Sequence, residues 1–247
     1  MQYIALATDY DGTLATDGQV RSSTTAALER VKASGRKLIL VTGRQLPDLK
    51  NVFGGLDVFH RVVVENGALL YDPQTCEETL LCEPPPQRLI DLLRKRKVPF
   101  DSGRAIIATW VPHEKGMVEA IRELGLDLKV IFNKHSVMVL PTGVDKASGL
   151  SSALQALHIS PEHVVAIGDA ENDYPLLAYC ACGVAVANAV PALKESSDIV
   201  TEKDHGAGVE EIINRLLQDD LECHVRRLRR SARNGKPKRS QRTLTVP

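Results

Sequence analysis

Asp9 and Asp11 stand two residues apart at the end of the apolar run Tyr3-Ile4-Ala5-Leu6-Ala7. A short run with no charge until the aspartate reads as a strand buried on both faces. In an open parallel sheet, ligands bind beyond the carboxyl ends of the strands, so this run delivers two acids to the usual place for chemistry. Residues two apart on an extended chain share a side, and the pair is therefore expected to act on one substrate atom. Gly12 and Thr13 supply the sharp turn that keeps the backbone close to a small anion. Three further polar clusters recur at strand ends or helix starts: Thr42, Lys146, and Asp169 with Asn172 and Asp173. Carboxylates gathered at one sheet edge repel unless a cation joins them, and hard oxygen ligands suit Mg²⁺. Thr42 and Lys146 add a hydroxyl donor and a fixed positive charge, which an anionic phosphoryl group needs beside acids.

The elements that must position these groups follow from the apolar pattern. Buried strands are expected at 3–7, 37–41, 62–64 and 164–167, with shorter ones at 184–186 and 199–200. Ser22 or Ser23 can cap a helix running through Val31, and a second helix covers 46–53. This alternation predicts a parallel, Rossmann-like sheet with helices on both faces, an α/β fold. The pattern changes after Tyr71. Pro84-Pro85-Pro86 marks a stiff connection, followed by helix (87–95), extended pieces (98–100 and 105–110), helix (113–124) and two strands (128–132 and 137–140) around a hairpin turn. Strands joined that closely are antiparallel, so an α+β module is inserted into the parallel domain. The expected division is a core of residues 1–81 and 141–220, an inserted module at 82–140, and a helix extension with a basic tail at 221–247. A helix runs through Leu157 after Lys146. In the last one, Val209, Ile212, Ile213, Leu216 and Leu217 share a face, and Leu221, Val225 and Leu228 continue that spacing toward Arg230.

At 247 residues, with 43% hydrophobic and 25% charged, the chain can bury a sizeable core and is not disordered. No stretch approaches the ~20 apolar residues of a membrane helix, and the opening run is too short for a signal peptide, so a cytoplasmic protein without membrane contact is expected. The five cysteines lack paired ligand spacing, which fits a reducing compartment. Cys180 and Cys182 read as small apolar packing groups. Nine of the 31 Lys and Arg residues fall in 225–247 with no acid among them, leaving an acidic body and a basic tail. Without interleaved aromatics, that tail is not expected to bind nucleic acid.

Asp9-Tyr10-Asp11-Gly12-Thr13-Leu14, Thr42-Gly43-Arg44, Lys146 and Gly168-Asp169-Ala170-Glu171-Asn172-Asp173 resemble the four motifs of the haloacid dehalogenase-like hydrolases. Asp11, two residues after Asp9, resembles the phosphatases of that superfamily. Glu65-Asn66-Gly67-Ala68, the insert between the second and third motifs, and Val184-Ala185-Val186-Ala187-Asn188-Ala189 resemble its Cof-type branch with a type-two cap, in the neighbourhood of sucrose-phosphate and archaeal phosphoglycolate phosphatases. The resemblance covers residues 4 to about 217. It implies that Asp9 attacks phosphorus and forms an aspartyl-phosphate, and that Asp11 serves as acid and then base. It further implies that Mg²⁺ is held by the Asp9 carboxylate, the Asp11 backbone carbonyl and Asp169, with Asp173 directly on the ion or behind it. Thr42, Gly43, Lys146 and Asn172 would contact the phosphate.

Single residues also have blander readings. Arg44 is counted with the substrate-binding residues, with a plain surface role as the alternative; Thr42 could cap a helix; Asn66 before Gly67 is ordinary turn chemistry. Trp110 and His113 read as packing or surface residues. The function expected is Mg²⁺-dependent hydrolysis of a small phosphorylated metabolite, a sugar phosphate or organic-acid phosphate, with the inserted module as a mobile cap over the site. A phosphomutase-type transferase and a non-catalytic regulatory module of a longer protein are the alternatives. Oligomeric state is left open.

Overall fold

The computed structural model describes residues 1–133 and 135–222. Two sheets organise it. The larger one contains β1 (Ala5–Thr8), β2 (Lys37–Val41), β3 (Arg61–Val64), β4 (Leu69–Asp72), β5 (Glu77–Leu80), β10 (Val164–Gly168), β11 (Cys182–Ala185) and β12 (Ile199–Val200), in the order β12-β11-β10-β1-β2-β3-β4-β5. Its six strands from β12 to β3 are parallel, and β4 and β5 are antiparallel additions. The α/β expectation holds, with β1 near the middle.

The apolar runs explain the order of the layers. Every residue of β1, β10 and β11 is buried, because helices cover both faces. α1 (Ser22–Ala33) and α8 (His205–Asp219) pack against each other on one side, and α5 (Lys146–Ala156) and α6 (Tyr174–Tyr179) lie on the other. The short α2 (Leu46–Val52) and α7 (Pro191–Ser196) complete the core. Leu6, Ile39 and Val165 are wholly buried in it, each contributing roughly 1.5–3 kcal/mol relative to exposure.

Between β5 and α5 lies the smaller sheet, made of β6 (Asp101–Ser102), β7 (Ile107–Trp110), β8 (Leu128–Asn133) and β9 (Ser136–Pro141), in the antiparallel order β6-β7-β9-β8. α3 (Gln87–Lys95) and α4 (Glu114–Glu123) cover one face, where Leu89, Leu93, Met117 and Ile121 pack on Ile107 and Val139. Met138 and Leu140 alternate to the opposite face and meet Ala68 of the core. The α+β insertion is as expected.

The structure departs from expectation in four places. Ser22 and Ser23 do not cap α1, whose N-cap is Arg21; instead, the hydroxyls of Ser23 and Thr24 donate to Glu210 of α8 at 2.8 and 2.7 Å. Residues 69–80, given no element from sequence, form β4 and β5. The latter is a fully exposed edge strand, Glu-Glu-Thr-Leu, which carries no alternation to read and whose charges suit an unpaired edge. The piece expected at 98–100 is not a strand: Val98 and Phe100 pack against the helices, and Thr109 donates to the Pro99 carbonyl at 2.6 Å. Last, α8 ends at Asp219, because Asp220 and Leu221 turn left-handed (φ 56° and 57°). There Asp220 accepts from the Gln2 and Tyr3 amides and pairs with Arg36 at 3.1 Å. Val225, Leu228 and the basic tail lie outside the described residues. No helix among the described residues is long and apolar enough to cross a membrane.

Candidate active site

Register brings the expected groups together. Thr8 pairs with Ile167 on one side and Leu40 on the other, so Asp9, Asp169 and Thr42 follow the ends of three adjacent parallel strands. Lys146 arrives differently, as the first residue of α5. Asp145 and Ser148 form a capping box there, with the Asp145 side chain accepting from the Ser148 amide at 2.9 Å. That cap starts the helix where Lys146 can reach across to β1.

Lys146 Nζ stands 2.5 Å from Asp9 Oδ1 and 2.6 Å from Asp173 Oδ1, and all three side chains are buried. The second oxygen of Asp173 accepts from the Asp169 and Ala170 amides at 2.9 and 3.0 Å, which fixes the loop carrying Asp169. Thr13 donates to Asp169 Oδ1 at 3.2 Å. Gly12 passes so close that a Cβ there would lie 2.3 Å from Asp169 Oδ2, and its φ of +82° is itself a glycine conformation. Burial drives the Asp9 carboxyl well above its usual range; Lys146 opposes that, while the charges of Asp173 and Asp169 add to it. Burial alone would lower the Lys146 pKa, but Asp173 and Asp9 outweigh it and raise it.

Asp11 does not share this setting. Its two oxygens take Arg44 Nε and Nη2 at 2.7 and 2.8 Å, and Arg44 Nη1 takes Asp48 at 2.6 Å. Arg44 also lies over the Tyr10 ring, 5.4 Å from its centre. Asp9 and Asp11, expected to act on one substrate atom from neighbouring positions, thus have carboxylates that pair with different cations. Thr42 does not cap α2, whose N-cap is Gln45; its hydroxyl accepts from the Arg44 amide at 3.2 Å, leaving its hydrogen to donate elsewhere. Asp9, Asp11, Thr42, Gly43, Arg44, Lys146 and Asn172 all line one cavity of about 820 Å³.

A family model for the haloacid dehalogenase-like hydrolases matches residues 6–108 and 113–213. The chain belongs to that family. It is 32% identical over 225 residues to phosphoglycolate phosphatase 2 of Saccharolobus solfataricus, covering 88% of this chain and 94% of that one. Among solved structures, it resembles a haloacid dehalogenase-like hydrolase from Bacteroides thetaiotaomicron with a TM-score of 0.74, at 22% identity over 87% of this chain and 99% of that chain. A sugar phosphatase of subclass IIB of the same family gives 0.69 at 19% identity, over 86% and 98%.

In this hydrolase, the inserted sheet is the cap, and it forms the far wall of the cavity through Asp101, Ser102, His135, Ser136 and Met138. The acidic cluster fits a divalent cation: Asp9, Asp169 and Asp173 bring ligand atoms within 4.8 Å of one another, all are carboxylates, and Lys146 pairs with Asp9 and Asp173. Asn172 has a buried Oδ1 with no hydrogen-bond partner among the described residues, on a side chain that lines the cavity. Sequence reasoning missed the groups that brace the Asp11–Thr13 turn. Asn188 Nδ2 and His205 Nδ1 both donate to the Gly12 carbonyl, at 2.8 and 2.9 Å, and Asn188 Oδ1 accepts from the His205 amide. Asn188 lay in a stretch already noted for its resemblance; His205 carried no signal at all.

Proposed function

We propose that this hydrolase is a Mg²⁺-dependent phosphomonoesterase acting on a small phosphorylated metabolite, with residues 1–81 and 141–220 as the catalytic core and 82–140 as the cap. The observation that carries the reading is a buried acidic cluster, Asp9 with Asp169 and Asp173, whose member Asp9 lines one cavity together with Lys146, Thr42, Gly43 and Asn172. Asp9 attacks phosphorus, and the bond from phosphorus to the leaving oxygen breaks as the aspartyl-phosphate forms. Asp11 gives its proton to that oxygen, then takes one from the water that attacks phosphorus and returns Asp9 to a carboxylate. Arg44 occupies both oxygens of Asp11, so Asp11 parts from it to pass the proton.

Lys146, the Thr42 hydroxyl, the Gly43 amide and Asn172 hold the phosphoryl oxygens, and Lys146 keeps Asp9 aligned. Asp9, Asp169 and the Asp11 carbonyl would hold Mg²⁺, whose charge offsets the repulsion between an anionic nucleophile and an anionic substrate. Asp173, engaged by three donors, braces that ligand loop. The cavity is larger than a phosphoryl group requires. Its outer wall, with Asp48, Asp101, Ser102, His135 and Ser136, offers acceptors and hydroxyls that suit a leaving group rich in hydroxyls, as in a sugar phosphate; an organic-acid phosphate is the second class. The name of the Saccharolobus relative supports the second class.

The test is phosphate release from a panel of hexose phosphates, phosphoglycolate and 4-nitrophenyl phosphate, with Mg²⁺ or with EDTA. Release should require Mg²⁺ and vanish in Asp9→Asn. Turnover retained by Asp9→Asn, or phosphoryl transfer to an added sugar in place of release, would rule the reading out.

A further inference from the structure

Glu65 follows β3 in the core, yet the residue is 1% exposed and its carboxylate is spent on the cap. Oε1 accepts from the Arg104 amide at 2.8 Å, and Oε2 accepts from those of Ala105 and Ile106 at 2.8 and 2.9 Å. Three successive backbone donors leading into β7 thus close on one core side chain. Ala105 and Ile106 are buried, so without the carboxylate their amides would lose a partner out of reach of water.

The backbone beneath is held in an unfavourable shape. Glu65 and the adjacent Asn66 are both left-handed, at φ 52° and 56°, and such conformations persist only where the surroundings over-determine them. The Glu65 amide donates to the Arg44 carbonyl and the Asn66 amide to the Thr42 carbonyl, both at 2.9 Å. Asn66 Oδ1 accepts from Asn172 Nδ2 at 3.1 Å. Gly67 lies so close to α5 that a Cβ there would stand 2.0 Å from the Asp145 carbonyl oxygen, one residue before Lys146. One three-residue turn therefore touches the loops carrying Thr42, Lys146 and Asn172, and its first side chain holds the cap.

We propose that Glu65 is a positioning residue: its carboxylate seats the cap on the core, and the strained turn at 65–67 transmits that seating to Asn172 and the phosphate-binding loops. The inference rests on the phosphatase reading for its functional arm but not for its structural one. Met138 of the cap shows how closely the seated parts meet, since a Cβ on Gly43 would lie 3.4 Å from its sulfur.

Two variants approach the latch from opposite sides. Glu65→Gln removes the charge, and Gly103→Ala places a Cβ 2.5 Å from Glu65 Oε1, pushing the loop away while leaving the core sequence intact. In the full-length protein, hydrogen exchange of the 104–106 amides should quicken at least about tenfold in each. Binding of inorganic phosphate, measured by calorimetry with Mg²⁺ present, should weaken about tenfold in each, and the double variant should be no worse than either single one. Unchanged exchange in both single variants would overturn the latch. Faster exchange with wild-type phosphate affinity would overturn its transmission to the site. A wild-type protein that ignores phosphate would count against the phosphatase reading, and the exchange result would still decide whether Glu65 seats the cap.

Discussion

Arg44 grips Asp11 by both carboxylate oxygens, at 2.7 and 2.8 Å, while the aspartate two residues earlier is held in the interior by Lys146. The groups proposed for proton transfer and for nucleophilic attack therefore sit in different surroundings. The Arg44–Asp11 pair is partly open to solvent, so replacing Asp11 by Asn should change stability by less than about 1 kcal/mol. The same change should lower kcat by roughly 10²–10⁴-fold, the usual share of a general acid–base group. Urea unfolding and steady-state rates on the same sample separate the two effects; a large stability loss with a small rate loss would reverse the assignment.

Removing Lys146 leaves Asp9 and Asp173 buried without their cation. Lys146→Met should therefore cost about 3–5 kcal/mol in denaturant unfolding without Mg²⁺. Adding Asp173→Asn to that background should restore part of the loss, and no recovery would mean that packing around the lysine stem, not charge, sets the cost.

Gly12→Ala forces a methyl group against Asp169. Displacing a residue that orients a metal ligand typically costs 10–100-fold in metal affinity, so half-saturation with Mg²⁺ should move up by about that much. A Mg²⁺ titration of activity checks it, and an unchanged midpoint would remove Asp169 from the ligand set.

His60 gives a pH signature away from the site. Burial, with Lys37, Lys32 and Arg61 nearby, lowers its pKa from 6.5 to about 4, and its Nδ1 accepts from the Leu38 amide at 3.1 Å. Between those values, the unfolded chain binds a proton that the folded chain refuses. Stability from this source is therefore complete above pH 6.5 and is lost as pH falls toward 4. Equilibrium unfolding across that range should show a shallower decline in His60→Asn than in the wild type; parallel curves would mean that His60 does not titrate in this way.

The strand that leads to Asp9 was readable because Ala5, Leu6 and Ala7 carry no charge and Asp9 follows after Thr8; a strand buried on both faces leaves few alternatives. Lys146 was readable only through its company, as a lone lysine at a helix start has no distinguishing mark. Glu65, Asn188 and His205 were opaque as contributors, since their partners are backbone groups far along the chain and backbone groups have no letter in the sequence. β5 was missed for the opposite reason: an exposed edge strand buries nothing and so leaves no periodicity. The stop of α8 was hidden because the groups that turn Asp220 aside belong to residues 2 and 3.

The position of β10 beside β1 has a consequence during synthesis. Some 150 residues separate the two strands, which at roughly 5–20 residues per second is on the order of ten seconds of translation. Once β2 has emerged, β1 has it on one flank and an open edge on the other until β10 arrives, while Asp9 awaits both the lysine and the second acidic loop. The ribosome thus delivers Asp9 well before the lysine and the second acidic loop that enclose it.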